Sequence, residues 1–211
     1  LLAFLQQLRL HRDHRPELAP YLLEKPLWVF VGSKVTASTG VQELSDIQQI
    51  LAYLDDFVRD RTAAVRRIGL IQSGNHALVD GAGRNIFANR LALLFSGRTP
   101  EQIYDEALTL IFNAPTGGTL RIERLSGADA EGEIALSVGD HDAFGVINVG
   151  DAKKVVDQAK DNGMTVAETG DFKESLFRRI NTGDSSINVL IGAMKFTEGW
   201  SSWRVSTMGL M

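Results

Sequence analysis

Lys195, Thr197, Glu198 and Arg204 fall within ten residues of one another, interleaved with Trp200 and Trp203. An indole offers a broad face that stacks on a nucleobase or covers apolar surface. The same residues have a purely structural use, in which the two tryptophans plug the end of a sheet and Glu198 pairs with Arg204. Spacing alone leaves both open. What precedes them is informative: Ile187, Val189, Leu190 and Ile191 read as a buried strand that ends in Gly192. A strand running into a glycine-containing polar loop is where α/β proteins place ligand-handling groups, at the carboxyl edge of a parallel sheet.

Self-contained chemistry is hard to find elsewhere. No G-x-x-x-x-G-K-[ST] string is present to wrap phosphates in backbone N–H groups. Gly81-Ala82-Gly83-Arg84 is the nearest glycine cluster, and it reads as a loop. His11 and His14 stand three apart beside Asp13 but have no further ligand nearby, so a solvated turn is expected rather than a metal site. There is no G-x-S-x-G nucleophile signature. The carboxylate pairs Asp55-Asp56 and Glu131/Glu133 fall where the local pattern predicts exposed surface, as solubilising charge. No catalytic residue and no metal ligand is assigned.

The elements that must position the 192–204 loop follow from periodicity. Leu1 to Leu8 has helical spacing, and Leu27-Trp28-Val29-Phe30-Val31 is a continuous apolar run expected to be a parallel strand buried on both faces. Gly32-Ser33-Lys34 ends it. Leu44 to Val58 carries a helical stripe, residues 60–71 continue as a basic helix, and further helices are predicted at about 85–95 and 100–112. Thr99-Pro100 looks like a cap followed by proline at the first helical position. After Pro115, the segments TLRIERL, EIALSVG and FGVINVG alternate with period two and predict a small antiparallel meander. Asp151–Asn162 is expected to be a helix, Met164–Ala167 a strand, Phe172–Ile180 a helix and Asn188–Ile191 a strand. Strand–helix alternation at this spacing argues for parallel βαβ units. The division is a helical linker over 1–23, a doubly wound sheet from 24–59 and 145–211, and an insertion over 60–144 whose meander spans about 118–144.

Composition narrows the classes. A net charge of −4 argues against a strongly basic stand-alone DNA-binding module, while a local basic groove stays open. The absence of cysteine excludes disulfides and thiolate zinc sites and fits a cytoplasmic setting. No apolar run is long enough for a transmembrane helix. The chain begins at Leu1 and stops at Met211 within or just after a strand-like run, so a piece of a longer protein is expected.

Leu190-Ile191-Gly192, Thr197-Glu198-Gly199-Trp200 and Trp203 to Leu210 resemble motif V of superfamily-2 DEAD/DEAH-type helicases, and most of all the Res subunit of type III restriction enzymes. Lys25 to Gly32 is similar to the motif IV strand of that subgroup. Ser175-Leu176-Phe177 with Ile180-Asn181, and Phe144 to Asp151, fit it too. The resemblance covers 24–35 and the last 70 residues and is vague across 60–140.

The resemblance implies an α/β fold of RecA-like type, a parallel sheet flanked by helices that carries a helical and small antiparallel β insertion. The chain would be the second motor lobe of an ATP-dependent DNA helicase or translocase of a restriction-modification or related defence enzyme, RNA remaining open as substrate. ATP and Mg²⁺ would bind mainly to a first RecA-like domain, which with DNA and a modification (methyltransferase) subunit makes the implied partners. Glu198 and Gly199 match the family's Glu-Gly beside the ATP cleft. Ser201 stands in that cleft set where many relatives have an aspartate, so a carboxylate for ribose recognition is missing there. Gly32, Ser33, Lys195, Thr197, Trp200 and Arg204 form the implied nucleic-acid set, the small residues through exposed backbone N–H groups. Without a P-loop, an acidic box or an arginine finger, this chain alone would not hydrolyse ATP. The competing expectation is a RecA-like scaffold or interaction module whose motor chemistry is lost.

Overall fold

The computed structural model describes residues 1–32, 46–127, 129–167, 174–193 and 201–210. Its centre is a seven-stranded mixed sheet. The strands are β1 (Leu27–Gly32), β2 (Leu120–Arg124), β3 (Glu133–Val138), β4 (Gly145–Asn148), β5 (Thr165–Val166), β6 (Val189–Ala193) and β7 (Val205–Leu210), in the order β5-β2-β3-β4-β6-β1-β7. β4, β6, β1 and β7 run parallel to one another, and β2 runs parallel to β5; β2–β3 and β3–β4 are antiparallel. The predicted meander is therefore present. It is joined to the parallel strands through β4, so the segment set apart by sequence as an insertion shares their sheet.

Alternation along the strands explains why the apolar runs are continuous. Trp28 and Phe30 of β1, Val189 and Ile191 of β6 and Ile147 of β4 face one core; Leu27, Val29, Leu190 and Val146 face the other. A strand covered on both sides has no polar face to show. The larger core also takes the stripes of α1 (Leu2–Asp13), α3 (Asp46–Arg59), α4 (Arg61–Ser73), α6 (Pro100–Leu110) and α7 (Ala152–Asp161). Phe4, Leu5 and Leu8 of α1 belong to it, so this helix is integral to the packing. The short α2 (Arg15–Leu18) and α5 (Ala92–Phe95) complete the α-helices among the described residues, and a 3₁₀ turn, Ala19–Tyr21, follows α2.

Helix ends follow local chemistry. Thr99 and Gln102 form a reciprocal capping box at α6, with Pro100 at its start. Asp60 accepts from the Ala63 N–H at α4, and Asp151 from the Lys154 N–H at α7.

Three expectations are corrected. Residues 176–181 form successive turns rather than a helix, closed by Ile180 N–H to Phe177 O and Thr182 N–H to Arg179 O. They still cover the second core with Ile180, Leu176 and Phe177. The helix expected at about 85–95 is confined to Ala92–Phe95. Asp55 and Glu133 are buried rather than solvated. Asp55 accepts from the Leu120 N–H at 3.1 Å and pairs with Arg59 at 2.6 Å. Glu133 accepts from the Ser175 hydroxyl and from the Phe177 N–H, which fastens the irregular 175–177 chain to β3.

Gly132 permits the β3–β4 closure. Its φ is +84°, it receives the Val149 N–H at 2.9 Å, and a Cβ there would sit 2.3 Å from the Val149 carbonyl oxygen. Gly132→Ala is expected to cost about 1–3 kcal/mol in urea unfolding. Gly150→Ala, where a Cβ meets nothing within 4 Å, should stay within about 0.5 kcal/mol. Equal effects at the two positions would refute the close approach.

Candidate functional site

The parallel strands put their carboxyl ends on one edge. Gly32, the last residue of β1, is opposite Ala193, the last of β6; Gly192 lies between Val31 and Asn148. Two segments leave this edge from neighbouring strands: 33–45 after β1 and 194–200 after β6. Ser33, Lys195, Thr197, Glu198, Gly199 and Trp200 lie in these segments, outside the described residues. Gly32 is at the root of the first. A small residue at such an edge leaves its backbone open to close approach.

Ser201 and Arg204 are placed elsewhere. β7 runs parallel to β1 and starts opposite Leu27, and the Leu27 N–H donates to the Arg204 carbonyl at 2.6 Å. Residues 201–204 thus precede β7 at the amino edge, a strand length of roughly 17 Å from Gly32. Ser201 is exposed and its carbonyl accepts from Asn181 Nδ2 at 3.2 Å, while the Ser202 hydroxyl donates to Asn181 Oδ1 at 2.6 Å. Trp203 is 89% exposed, so it plugs no part of the sheet.

Arg204 is 3% exposed. Its Nε donates to the Lys25 carbonyl at 2.8 Å, Nη2 to Ile187 O at 2.6 Å, and Nη1 to Ile180 O. The guanidinium therefore ties together the chain before β1, the chain before β6 and the 176–181 turns. That is a positioning role at a residue the resemblance places in its nucleic-acid set. Burial pushes its pKa down to about 10, opposed by the charge of Glu24. Asn188 backs this clasp: it is fully buried, and Nδ2 donates to the Leu110 and Ile111 carbonyls at 3.1 and 2.9 Å, satisfying the C-terminal end of α6. The sequence assigns neither Asn181 nor Asn188 such a positioning role, because their partners are distant in the chain.

Other polar features are self-contained. In the 81–84 loop, Asp80 accepts from the Ala82 and Arg84 N–H groups and from Arg84 Nε, so those backbone donors are already used. Among the described residues no three His, Asp or Glu side chains gather as metal ligands, and no helix is long and apolar enough to cross a membrane. Comparison with protein families, curated proteins and solved structures finds no match.

Three carbonyls are reached by the planar fork of an arginine and not by the single ammonium of a lysine. Arg204→Lys is expected to lose about 2–4 kcal/mol of stability in denaturant unfolding, with hydrogen exchange rising first over 176–188. A variant as stable as the parent would show that the clasp is dispensable.

Proposed function

We propose that this chain is the second RecA-like lobe of an ATP-dependent DNA helicase or translocase of the kind used by restriction and related defence enzymes. The observation that supports it best is the parallel register of β1 and β6, with Gly32 opposite Ala193. β1 carries most of the residues resembling motif IV and β6 the first of those resembling motif V, and the segments after them start side by side on one edge. A strand-end edge of a parallel sheet is the ordinary place for nucleotide and phosphate contact.

In this reading ATP and Mg²⁺ are held mainly by a first lobe, where hydrolysis takes place. This chain contributes Glu198 and Gly199 beside the cleft, and Gly32, Ser33, Lys195 and Thr197 toward the nucleic-acid backbone. Opening and closing of the lobes would alternate the grip of each on the phosphodiester chain. Modification subunits and DNA are the partners that follow from it. The competing reading, a lobe retained as an interaction module, is favoured by one observation: Ser201 bonds to Asn181 at the amino edge, away from any cleft at Gly32.

Backbone contact predicts sequence-independent, salt-sensitive binding. In fluorescence anisotropy with unrelated duplexes, log K should fall linearly with log salt, and Lys195→Ala should flatten the slope by about 1. Binding that ignores salt would sink the backbone reading. In a protein containing both lobes, Glu198→Gln should lower nucleic-acid-stimulated ATP hydrolysis; an unchanged rate would favour the interaction module.

A further inference from the structure

A cavity of about 620 Å³ opens at the amino edge of the sheet, on the side away from Gly32. His11 and Arg12 of α1, Arg15 of α2, Lys25 before β1 and Arg204 before β7 all line it, and Glu24 is the one acid among the described lining residues. Its charges are unevenly matched. Arg12 is neutralised by Asp13 at 2.7 Å and Glu106 at 3.0 Å. Among the described residues, no carboxylate stands within ion-pair distance of Arg15, Lys25 or Arg204. Three unpaired cations against one acid leave an excess of two positive charges (3 − 1 = 2).

Such crowding works against folding. Burial and then the charge of Arg204 push the Lys25 ammonium down to about 8. His11 is lowered by burial first; the Leu23 carbonyl opposes this, and Arg15, Lys25 and Arg204 lower it further. A chain with more acids than bases nevertheless sets these cations against Glu24 alone among the described lining residues. Local arrangements that cost stability without a structural return concentrate at binding sites. A concave wall of one sign also focuses potential onto an incoming anion.

The cavity mixes this charge with apolar surface. Leu22 and Leu23 line it and are 81% and 53% exposed, so an organic body would cover them. Its volume lies within the range of small-molecule sites. A phosphate monoester, close to a dianion at neutral pH, matches the excess of two better than a monocarboxylate does.

We propose that this amino-edge cavity binds a small organic phosphate ester, held by Arg15 and Lys25 with the buried charge of Arg204 behind them, and with its organic part over Leu22 and Leu23. The site is separate from the carboxyl edge, so its success or failure is independent of the motor reading.

Isothermal titration calorimetry with phenyl phosphate and with inorganic phosphate, at low salt and pH 7, tests it. Phenyl phosphate should bind saturably and more tightly than inorganic phosphate. The double variant Arg15→Gln/Lys25→Gln should weaken it by about tenfold or more. The His11 ring, which shares the cavity lining with Arg12, Arg15, Lys25, Arg204 and Glu24, should titrate at higher pH in the bound state. No saturable binding up to about 10 mM, equal affinity for the two probes, or full affinity in a folded double variant would each overturn the proposal.

Folding of the variant is checked by the sign of its stability change. Below pH 8 Lys25 is protonated in both states and the folded chain carries the full cost. Between about 8 and the ordinary 10.5 the unfolded chain holds a proton the folded one has lost, so parent stability rises with pH. Lys25→Gln should therefore raise the melting temperature at pH 7, with the gain fading across that window. A variant destabilised at pH 7 would show that the cation is structural, and would overturn its assignment to a ligand.

Discussion

The alignment of this sheet depends on a buried cation that has no carboxylate partner. Arg204 reaches three carbonyls, at Lys25, Ile180 and Ile187, which lie 179, 24 and 17 residues away in sequence. Two of these precede the strands β1 and β6, and Arg204 itself precedes β7. One side chain therefore fixes the amino ends of three adjacent parallel strands. Strands are inextensible, with a nearly constant rise per residue. Fixing where they start, with a shared register, also fixes where they stop. Gly32 meets Ala193 at the far edge in the same register that the arginine ties at the near one.

The cost of that arrangement is visible in the electrostatics. Burial disfavours the charged guanidinium, and carbonyl dipoles compensate it only in part. A carboxylate would have been the usual partner for a buried charge, as Glu106 is for Arg9 beneath α1. At Arg204 carbonyls take that place, and its positive charge is shared with Lys25 and Arg15 nearby. The clasp and the cationic cavity are thus two results of one choice of residue. Carbonyls fill the donors directed into the fold, and Glu24 alone among the described lining residues offsets the field on the outward side.

Much of this architecture is legible in the sequence, and the failures have a common form. Leu27–Val31 reads as a strand because burial on both faces removes polar alternation, and Thr99-Pro100 reads as a cap because the chemistry lies within four residues. Glu133 misleads because β3 was taken to have a wet face; Ala135 beside it is small, and the 175–177 chain covers both. Phe172–Ile180 has helical spacing, yet its apolar residues are recruited individually, with Glu133 and Arg204 capturing backbone groups a helix would keep for itself. Arg204 is the sharpest case. Read beside Trp203 and Glu198 it belongs to a ligand-facing loop, whereas parallel topology carries it to the opposite edge. Local pattern cannot register a return of the chain across a sheet.

That return has consequences for how the molecule could be regulated. Residues 194–200, outside the described residues, join Ala193 at the carboxyl edge to Ser201 at the amino edge. An anion near Arg204 would act on the carboxyl edge only in so far as it binds two arrangements of that segment with different affinity. Linkage makes such an influence reciprocal: whatever engaged Lys195 or Glu198 would alter anion affinity by the same factor. If the clasp holds the amino ends in a single arrangement, the factor is one and the edges are independent. If both proposed sites exist, the strength of the Arg204 contacts would bear on their isolation as well as on the alignment of the strands.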